Sequence, residues 1–508
     1  MDRRRFCDWL PELETEFPVT EWKIDGVRVW PLIRTELYAS NFHAIVREWS
    51  LAGGYPRAAW SALSGLARWL VATLEDRGNS RRPSDPADVL FLSYSSGRQP
   101  KLGGRCLNPL LYPYAELVRA MGGRVTVWEA VPFGVYNTPR ATPSAWIQQE
   151  IASARAFSLL PRRTGNTTLA RYEELQEVVR VSGLTSRYSD PRVLIRDAWY
   201  VKTLASRFEH WLRRCRPTVT FIADYGFREM ALCLATARLG IPCVEIQHGI
   251  QGPTHPMYAR WREPEPGHWW ELRPTGFWNW DRESADNIRG WGGSSVSAYV
   301  GGDAWTDFWL GDHELAVRVR EELRARIETS GGGPQILVTL ARVGPAVPSG
   351  ILKLMRDAPR DWCFWVRMHP VGQESRWQAT AAALATTGAN HASLEHATVT
   401  PLPALLQVVD VNLVVGWSTV IAEAAAMGIR SFATDVNAPI LFPGEVQTGH
   451  LAMLTEWDEA VVAIESQSDG KGSRRRKASA AGPSTMRLLL DQGHSLSSHA
   501  RGSRRLPG

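Results

Sequence analysis

The stretch Val411–Asp435, VNLVVGWSTVIAEAAAMGIRSFATD, decides the fold. Val411 to Val415 is an apolar, β-branched run of strand length. Gly416-Trp417-Ser418-Thr419 is a polar turn. Ile421, Ala424, Ala425 and Met427 then recur at helical spacing, and Gly428 sits where a helix ends. A second apolar run, Ile429 to Ala433, begins at once. Strand, turn, helix and strand in that order imply a parallel sheet. Ser418 or Thr419 falls at the helix start, where unpaired N–H groups and the positive dipole end attract anions. Ligands of open parallel sheets sit outside the carboxyl ends of strands, and this turn lies there. An ordinary capped helix would carry the same text, so the turn alone assigns no phosphate site.

The same alternation runs outward in both directions. From Val296 the spacing predicts strands at 296–300, 335–341 and 362–368, with helices at 314–327, 349–357, 374–387 and 456–465. This makes a second α/β domain over 296–467. Upstream, strands are predicted at 89–94, 124–129, 219–223, 241–246 and 277–280, with helices at 114–121, 197–215, 227–239 and 283–290. They make a first domain over 89–295, with two or three helices read into 132–190. The fold class is therefore α/β, with two Rossmann-like domains. Residues 1–88 read as an N-terminal hairpin and helical extension. Asp25-Gly26 between Ile24 and Val27 is a two-residue hairpin signal, Pro31 suits a helix start, and 58–74 has one apolar face. Residues 468–508, rich in Ser, Gly and Arg, read as a basic disordered tail.

Composition narrows the function. The chain carries +6 overall, but nine basic and two acidic residues in 469–508 supply +7, leaving −1 elsewhere. A balanced body gives no argument for nucleic acid. The six cysteines form no CxxC pair, which favours a reducing, cytoplasmic setting. No apolar run is long enough to span a bilayer, and the basic start has no signal-peptide core after it. A GKS/T phosphate loop, HExxH, GxSxG and a Cys/His metal cluster are all absent, so no metal ligand and no cofactor is expected.

Chemistry-bearing residues gather at predicted strand exits. In the first domain these are Asp224, Gln247 and His248; Gly249 gives the backbone close access to a ligand. His248 is a candidate general base and Asp224 its rival. His255 lies in the following loop. In the second domain they are Arg367 and His369, two apart in RMHP and so on one side of a strand, with Gly416, Ser418 and Thr419. Arg and His both bind phosphate oxygens. Glu423, one turn into the helix, can reach a ribose hydroxyl. Domains facing each other across a cleft, strand ends inward, would bring the two sets together.

The set IPCVEIQHG (241–249), WVRMHP (365–370) and GWSTVIAEAAAMG (416–428) resembles bacterial surface-polysaccharide glycosyltransferases of the GT-B type. Capsule β-Kdo transferases, polysialyltransferases and the CDP-glycerol glycerophosphotransferases of teichoic acid synthesis share the pattern. The likeness spans Trp22 to Glu465 as short motifs in order, and includes the opening WKIDGVRVWPLIR (22–34). It implies that His369 contacts donor phosphate or nucleotide, that Ser418 and Thr419 bind donor phosphate, and that His248 is the base. The glycerophosphotransferase branch continues HG-T-P, whereas this chain reads His248-Gly249-Ile250-Gln251. The paired-acid motif of polysialyltransferases is reduced to Ile24-Asp25-Gly26. UDP-GlcNAc 2-epimerases share the architecture, but their DSGG-x-x-EE text is replaced by Gly416-Trp417-Ser418-Thr419.

What the resemblance implies is a cytoplasmic GT-B transferase, free or peripheral to the inner membrane. It would move a sugar from a nucleotide-sugar donor to a glycan or lipid-linked acceptor; a candidate base without a covalent nucleophile points to inversion. The other readings are glycerophosphate or polyol-phosphate transfer from a CDP-alcohol, and a non-catalytic assembly subunit of the same fold.

Overall fold

A computed structural model describes residues 3–46, 83–94, 101–102, 104–130, 139–160, 166–265, 268–329, 333–341, 347–369, 376–416, 418–454, 461–462, 464–466 and 481–502. The chain divides between Ala304 and Trp305 into two compact units, and the residues from Ala480 onward return to the first.

The first unit opens with the helix Arg3–Glu16 and a hairpin, β1 (Lys23–Ile24) and β2 (Val27–Arg28). Its turn is Asp25-Gly26, with φ of 50° and 82°. Both values lie in the left-handed region that a tight hairpin of the right twist requires. The helix Trp30–Val46 follows, with Pro31 in its first turn. The remaining strands are β3 (Val89–Tyr94), β4 (Lys101–Leu102), β5 (Arg105–Cys106), β6 (Val125–Ala130), β7 (Ala145–Trp146), β8 (Thr167–Thr168), β9 (Val219–Ile222), β10 (Cys243–Ile246), β11 (Gly276–Asn279) and β12 (Ser297–Val300). Seven of them form one parallel sheet in the order β12-β11-β10-β9-β3-β6-β7. Alternate residues of its strands feed two cores. Ile222, Cys243 and Phe277 join one with the N-terminal helices, while Phe221, Val244 and Trp278 join the other. Burial on both faces explains why these strands read as unbroken apolar runs.

The second unit holds β13 (Gln335–Thr339), β14 (Cys363–Arg367), β15 (Val411–Val414), β16 (Arg430–Ala433) and β17 (Leu451–Met453). They form a parallel sheet in the order β14-β13-β15-β16-β17. A polar ladder crosses its middle. The Thr339 hydroxyl donates to Asn412 Oδ1 (3.3 Å), and Asn412 Nδ2 donates to Ser431 Oγ (3.0 Å). A buried amide satisfied on both sides pins the register of three strands, since a slip of one residue would strand it. The opening stretch folds as read: β15, the helix Val420–Ala426, then β16 parallel to β15.

Three sequence expectations need correction. The strand at 297–300, expected to start the second domain, is the edge strand of the first sheet, paired with β11. Residues 3–46 are no appendage: Trp22, Trp30, Ile33 and Leu37 share one core with Tyr200 and Phe208 of the long helix Pro191–Cys215. The tail is not disordered throughout, because Ala481–Gly502 is a helix. Its Met486 and Leu489 lie three apart, are buried, and pack with Phe91, Tyr114 and Trp278. The Thr485 hydroxyl donates to Val300 O (3.0 Å), and the Tyr299 hydroxyl donates to Gln492 Oε1 (2.9 Å). Composition hid this helix, since its few core-facing residues sit in a Ser/Gly/Arg-rich background. The helix predicted at 58–74 and the basic run 471–477 lie outside the described residues.

The six cysteines are all buried and form no disulfide; Cys233 Sγ and Cys243 Sγ lie 3.8 Å apart. Among the described residues no helix is long and apolar enough to cross a membrane.

The C-terminal helix is thus part of the first unit's core. Leu489→Ala should cost about 2–4 kcal/mol, as for a buried leucine emptied in a packed core. Urea denaturation read from the tryptophans of the first unit should show this as a lowered first midpoint, while the exposed Leu488→Ala leaves it in place.

Candidate active site

A doubly wound sheet leaves a crevice where the chain reverses its direction of travel, outside the carboxyl ends of the two strands that flank the reversal. In the second unit β13 leads outward to β14, and β15 leads the opposite way to β16. The reversal lies between β13 and β15. The turn Gly416 to Thr419 follows β15, and Leu340-Ala341 follows β13. Arg367 closes β14, one strand further, so the RMH and GWST motifs stand about 10 Å apart, two strand spacings, with the exit of β13 between them.

Gly416 has φ +86°, which side chains resist, and a Cβ there would meet Ala341 Cβ at 3.4 Å. Its N–H donates to Thr434 Oγ1 (2.9 Å), tying the turn to the exit of β16. Thr419 caps the helix Val420–Ala426 by position but makes no side-chain capping bond. Ser418 Oγ accepts from Val420 N (3.4 Å). Trp417 lies outside the described residues.

Arg367 is partly committed. Its Nη1 donates to Ala397 O (2.9 Å) and to Thr400 O, the carbonyls around the end of the helix Leu394–Val399. Burial lowers its pKa to about 10, against the opposing pull of Glu423. It is therefore still a cation at neutral pH, anchored at the strand exit and within the electrostatic influence of Glu423. His369 follows two residues on and is partly buried. Arg376 donates to Ala341 O (2.7 Å), the carbonyl at the exit of β13, and sequence reading did not find it.

The first unit has its own reversal, between β3, which leads to β6, and β9, which leads to β10. Asp224 stands there. It is exposed, and its Oδ1 accepts from Tyr225 N (2.7 Å). Across the reversal Tyr94 is half exposed, and the Arg228 guanidinium lies 4.9 Å over its ring. Neither Tyr94 nor Arg228 was singled out from sequence; a Tyr at a strand exit and an Arg in the next helix's first turn were the available signals.

His248 lies one strand away, past the end of β10. Its ring is partly buried, and Nδ1 is buried with no hydrogen-bond partner. Gln247 braces this turn rather than facing outward. Its Nε2 donates to Gly249 O (2.9 Å) and Ser284 Oγ (3.2 Å), and its Oε1 accepts from Trp280 N (2.8 Å). His255 is partly buried, its ring centroid 4.8 Å from Tyr258 and 5.4 Å from Tyr38. Its Nδ1 accepts from Met257 N (3.3 Å). Burial drives its pKa well below the ordinary value, helped by Arg3, His248 and Arg273, so the ring is neutral. Asp25, the remnant of a paired-acid motif, is a turn residue tied to Trp199 Nε1 (3.1 Å) and Lys202.

Sequence reading also missed a buried cluster behind His248. Glu245, in β10, is fully buried, and its Oε1 accepts from the Tyr258 hydroxyl. Arg273 is equally buried; its guanidinium lies 4.4 Å over Tyr225 and 4.4 Å over Trp261. Burial holds the Glu245 carboxyl above the ordinary carboxylate range, and Arg273, then His248 and the Tyr258 hydroxyl, oppose only part of that rise. A carboxylate inside the apolar run Val244–Ile246 was the signal. Among the described residues no group of three His, Cys, Asp or Glu is placed to hold a metal ion.

No family model matches the sequence, and no curated protein does either. Solved structures similar to the chain include UDP-GlcNAc 2-epimerase from Neisseria meningitidis bound to UDP-GlcNAc, at 13% identity and TM-score 0.45, over 80% of this chain and 99% of that one. Another is UDP-GlcNAc 2-epimerase from Methanocaldococcus jannaschii, at 12% identity and TM-score 0.46, over 80% and 99%. A third is Anabaena Alr3699/HepE in complex with UDP and glucose, at 13% identity and TM-score 0.39, over 83% and 100%. Likeness at this level assigns no activity.

The neutral, partly buried His255 makes stability depend on pH. Its folded pKa lies below the unfolded value of 6.5, so the unfolded chain binds more protons as pH falls through about 6.5. Stability is full above that pH and drains below it, at up to about 1.4 kcal/mol per pH unit. Melting temperature should drop between about pH 7.5 and about pH 5.5, and His255→Gln should flatten that slope whatever it does to the absolute value.

Proposed function

We propose that the chain is a glycosyltransferase in which the second unit holds a nucleotide-sugar donor and the first supplies the base. One observation supports this reading: Asp224 in one parallel sheet and Gly416, Ser418 and Thr419 in the other stand at the chain reversal, where such sheets bind ligands, with His248 and Arg367 one strand away. Arg367 and His369 are cations or donors for the donor's diphosphate, with Gly416, Ser418 and Thr419 opposite them across the exit of β13. Glu423, beside Arg367, suits a ribose hydroxyl. His248 takes the proton from an acceptor hydroxyl, with Asp224 nearer the reversal as the group that orients the acceptor. The oxygen then attacks the anomeric carbon, the bond from that carbon to phosphate breaks, and the nucleoside diphosphate leaves with its charge met by Arg367 and His369. With no covalent nucleophile in the scheme, the anomeric centre inverts. The acceptor class that fits the sequence resemblance is a bacterial surface glycan, free or lipid-linked.

The two units should separate in mutagenesis. His369→Ala should weaken nucleotide binding at least about tenfold, roughly the 1.4 kcal/mol of one charge-assisted contact. His248→Ala should leave nucleotide affinity within about twofold and abolish transfer. Calorimetry with UDP, CDP, CMP and GDP, followed by a nucleotide-release assay with their sugars, measures both. A ligand at 100 times its Kd stabilises by about 2.7 kcal/mol, so a thermal screen finds the nucleotide first. If no nucleotide or nucleotide sugar raises the melting temperature, the reading is wrong. A product carrying a new phosphodiester would assign the chain to CDP-alcohol chemistry instead.

A further inference from the structure

Three side chains of the first unit meet at its chain reversal in an arrangement that packing does not require. β3 and β9 are adjacent and parallel, with Leu92 opposite Ile222. Two residues further along each strand stand Tyr94 and Asp224. They follow the face of Leu92 and Ile222, which share one core. Neighbouring strands lie about 5 Å apart, so the phenol and the carboxylate leave the sheet side by side. The helix Phe227–Leu239 begins three residues after Asp224 and brings Arg228 to the same place. Its guanidinium lies 4.9 Å over the Tyr94 ring.

Each member keeps a side open. Tyr94 is 50% exposed, although the five residues of β3 before it are buried. Arg228 backs one face of the ring, so the opposite face is the one open to solvent. Asp224 is exposed; its Oδ1 accepts from Tyr225 N, and it makes no ion pair among the described residues. Arg228 pairs with Glu229 (3.2 Å) and keeps 20% of its side chain exposed. An aromatic face beside a carboxylate and a guanidinium suits a sugar ring. The C–H groups of the sugar pack on the aromatic face, and its hydroxyls donate to the carboxylate and accept from the guanidinium. Charge narrows the sugar. Burial raises the Glu229 carboxyl, and Arg228 opposes that rise. With Glu229 ionised the group Asp224, Arg228 and Glu229 is negative; with it protonated the group is neutral. It is positive in neither state. Arg187, 5.3 Å over the Phe227 ring, and Arg155 both rest on the buried Asp197, and Glu36 accepts from Arg187 N. Among the described residues no surplus cation faces the Tyr94 ring, as a carboxylated or phosphorylated sugar would need.

We propose that Tyr94, Asp224 and Arg228 form a binding site for a neutral pyranose, whose ring lies on the open face of Tyr94. The proposed transferase reading names that sugar as the terminal residue of the acceptor glycan; the site itself stands without that reading. Asp224 Oδ2 takes one sugar hydroxyl and Arg228 donates to another. The guanidinium stack settles the Tyr94 ring before the sugar arrives, so little side-chain freedom is lost on binding. An acidic sugar in the same pose would set its own carboxylate against Asp224.

Saturation-transfer NMR on the whole chain tests this without a donor. The probes are the methyl glycosides of glucose, galactose, mannose and N-acetylglucosamine, with those of glucuronic acid and N-acetylneuraminic acid as acidic counterparts. Saturating the aromatic protons of the wild-type protein should label at least one neutral glycoside, most strongly at the C–H groups of one ring face, and neither acidic one. Tyr94→Ala should weaken that binding about tenfold or more, and Tyr94→Phe, which keeps the face, should hold it. Tyr94→Leu, apolar but without a flat ring, replaces Tyr94→Ala should that variant fail to fold. Asp224→Asn keeps the shape and removes the charge, so an acidic glycoside should now be labelled; its continued refusal overturns the neutral assignment. His369→Ala, in the second unit, should leave the signal in place, and a signal that falls with it instead overturns the site. So does a folded wild-type protein that labels no neutral glycoside, or a signal unchanged in Tyr94→Ala. Binding lost in Tyr94→Ala while no donor gives transfer keeps the site and sinks only the transferase reading. If transfer is found, Tyr94→Ala should raise KM for the acceptor about tenfold and leave KM for the nucleotide sugar within about twofold. An acceptor KM equal to wild type would keep the transferase and sink the site.

Discussion

Everything chemical in this molecule depends on the direction of its strands. A parallel sheet sends every strand out through the same edge, so residues hundreds of positions apart in sequence exit together. Asp224 and His248 follow adjacent strands of one sheet; Arg367, Gly416 and Thr434 follow strands of the other. Antiparallel pairing would have sent neighbouring exits to opposite ends and scattered the same residues. The strands read as continuous apolar runs because helices cover both faces. That leaves the exits as the first places where a polar side chain meets solvent. A His, Arg or Ser one or two residues past such a run is informative for this reason, whatever family it comes from.

The first unit carries a second constraint in its buried charges. Glu14 and Arg34 are both fully buried and paired. Glu14 also accepts from Trp30 Nε1 (2.7 Å) and from Arg262 N (2.7 Å), while Arg34 donates to Pro256 O (2.9 Å) and Arg260 O (3.0 Å). Its guanidinium lies 3.9 Å over the Trp261 ring, which Arg273 also approaches. The N-terminal residues therefore hold the loop that follows His248, carbonyl by carbonyl. Removing one member of such a buried pair typically costs about 3–5 kcal/mol, since the other is left charged and unpaired. The motif WKIDGVRVWPLIR is legible in these terms: Asp25-Gly26 turns the chain, Pro31 starts the helix, and Arg34 reaches the loop.

Legibility followed the range of the interactions. Val411–Asp435 was read correctly because each signal is local: a β-branched run, a turn, a helical period and a terminal glycine. The hairpin at Asp25-Gly26 is local too. The placement of Ser297–Val300 was not legible, because membership of a sheet is a pairing with Gly276–Asn279, and nothing in the strand itself names its partner. The C-terminal helix was missed because Met486 and Leu489 owe their burial to Phe91, Tyr114 and Trp278, residues from distant parts of the chain. Glu245 and Arg273 were missed for the same reason. A carboxylate in a strand and an arginine in a loop are ordinary text until the fold buries both.

The arrangement of Arg367 bears on the donor binding proposed above. A guanidinium on a free arginine must lose rotamer freedom when it grips a phosphate, roughly 0.5–1.5 kcal/mol per ordered side chain. Here Nη1 already rests on the carbonyls of Ala397 and Thr400, so that ordering belongs to folding and not to binding. The cost is moved into the stability of the second unit, visible in the depressed pKa of the group. Gly416 does the same for the opposite wall: its positive φ, open to glycine, and its bond to Thr434 set the turn before any ligand arrives. A surface ion pair or a solvated helix start would have no reason to be so fixed. Two walls, about 10 Å apart and both settled in advance, are what a diphosphate between them would need.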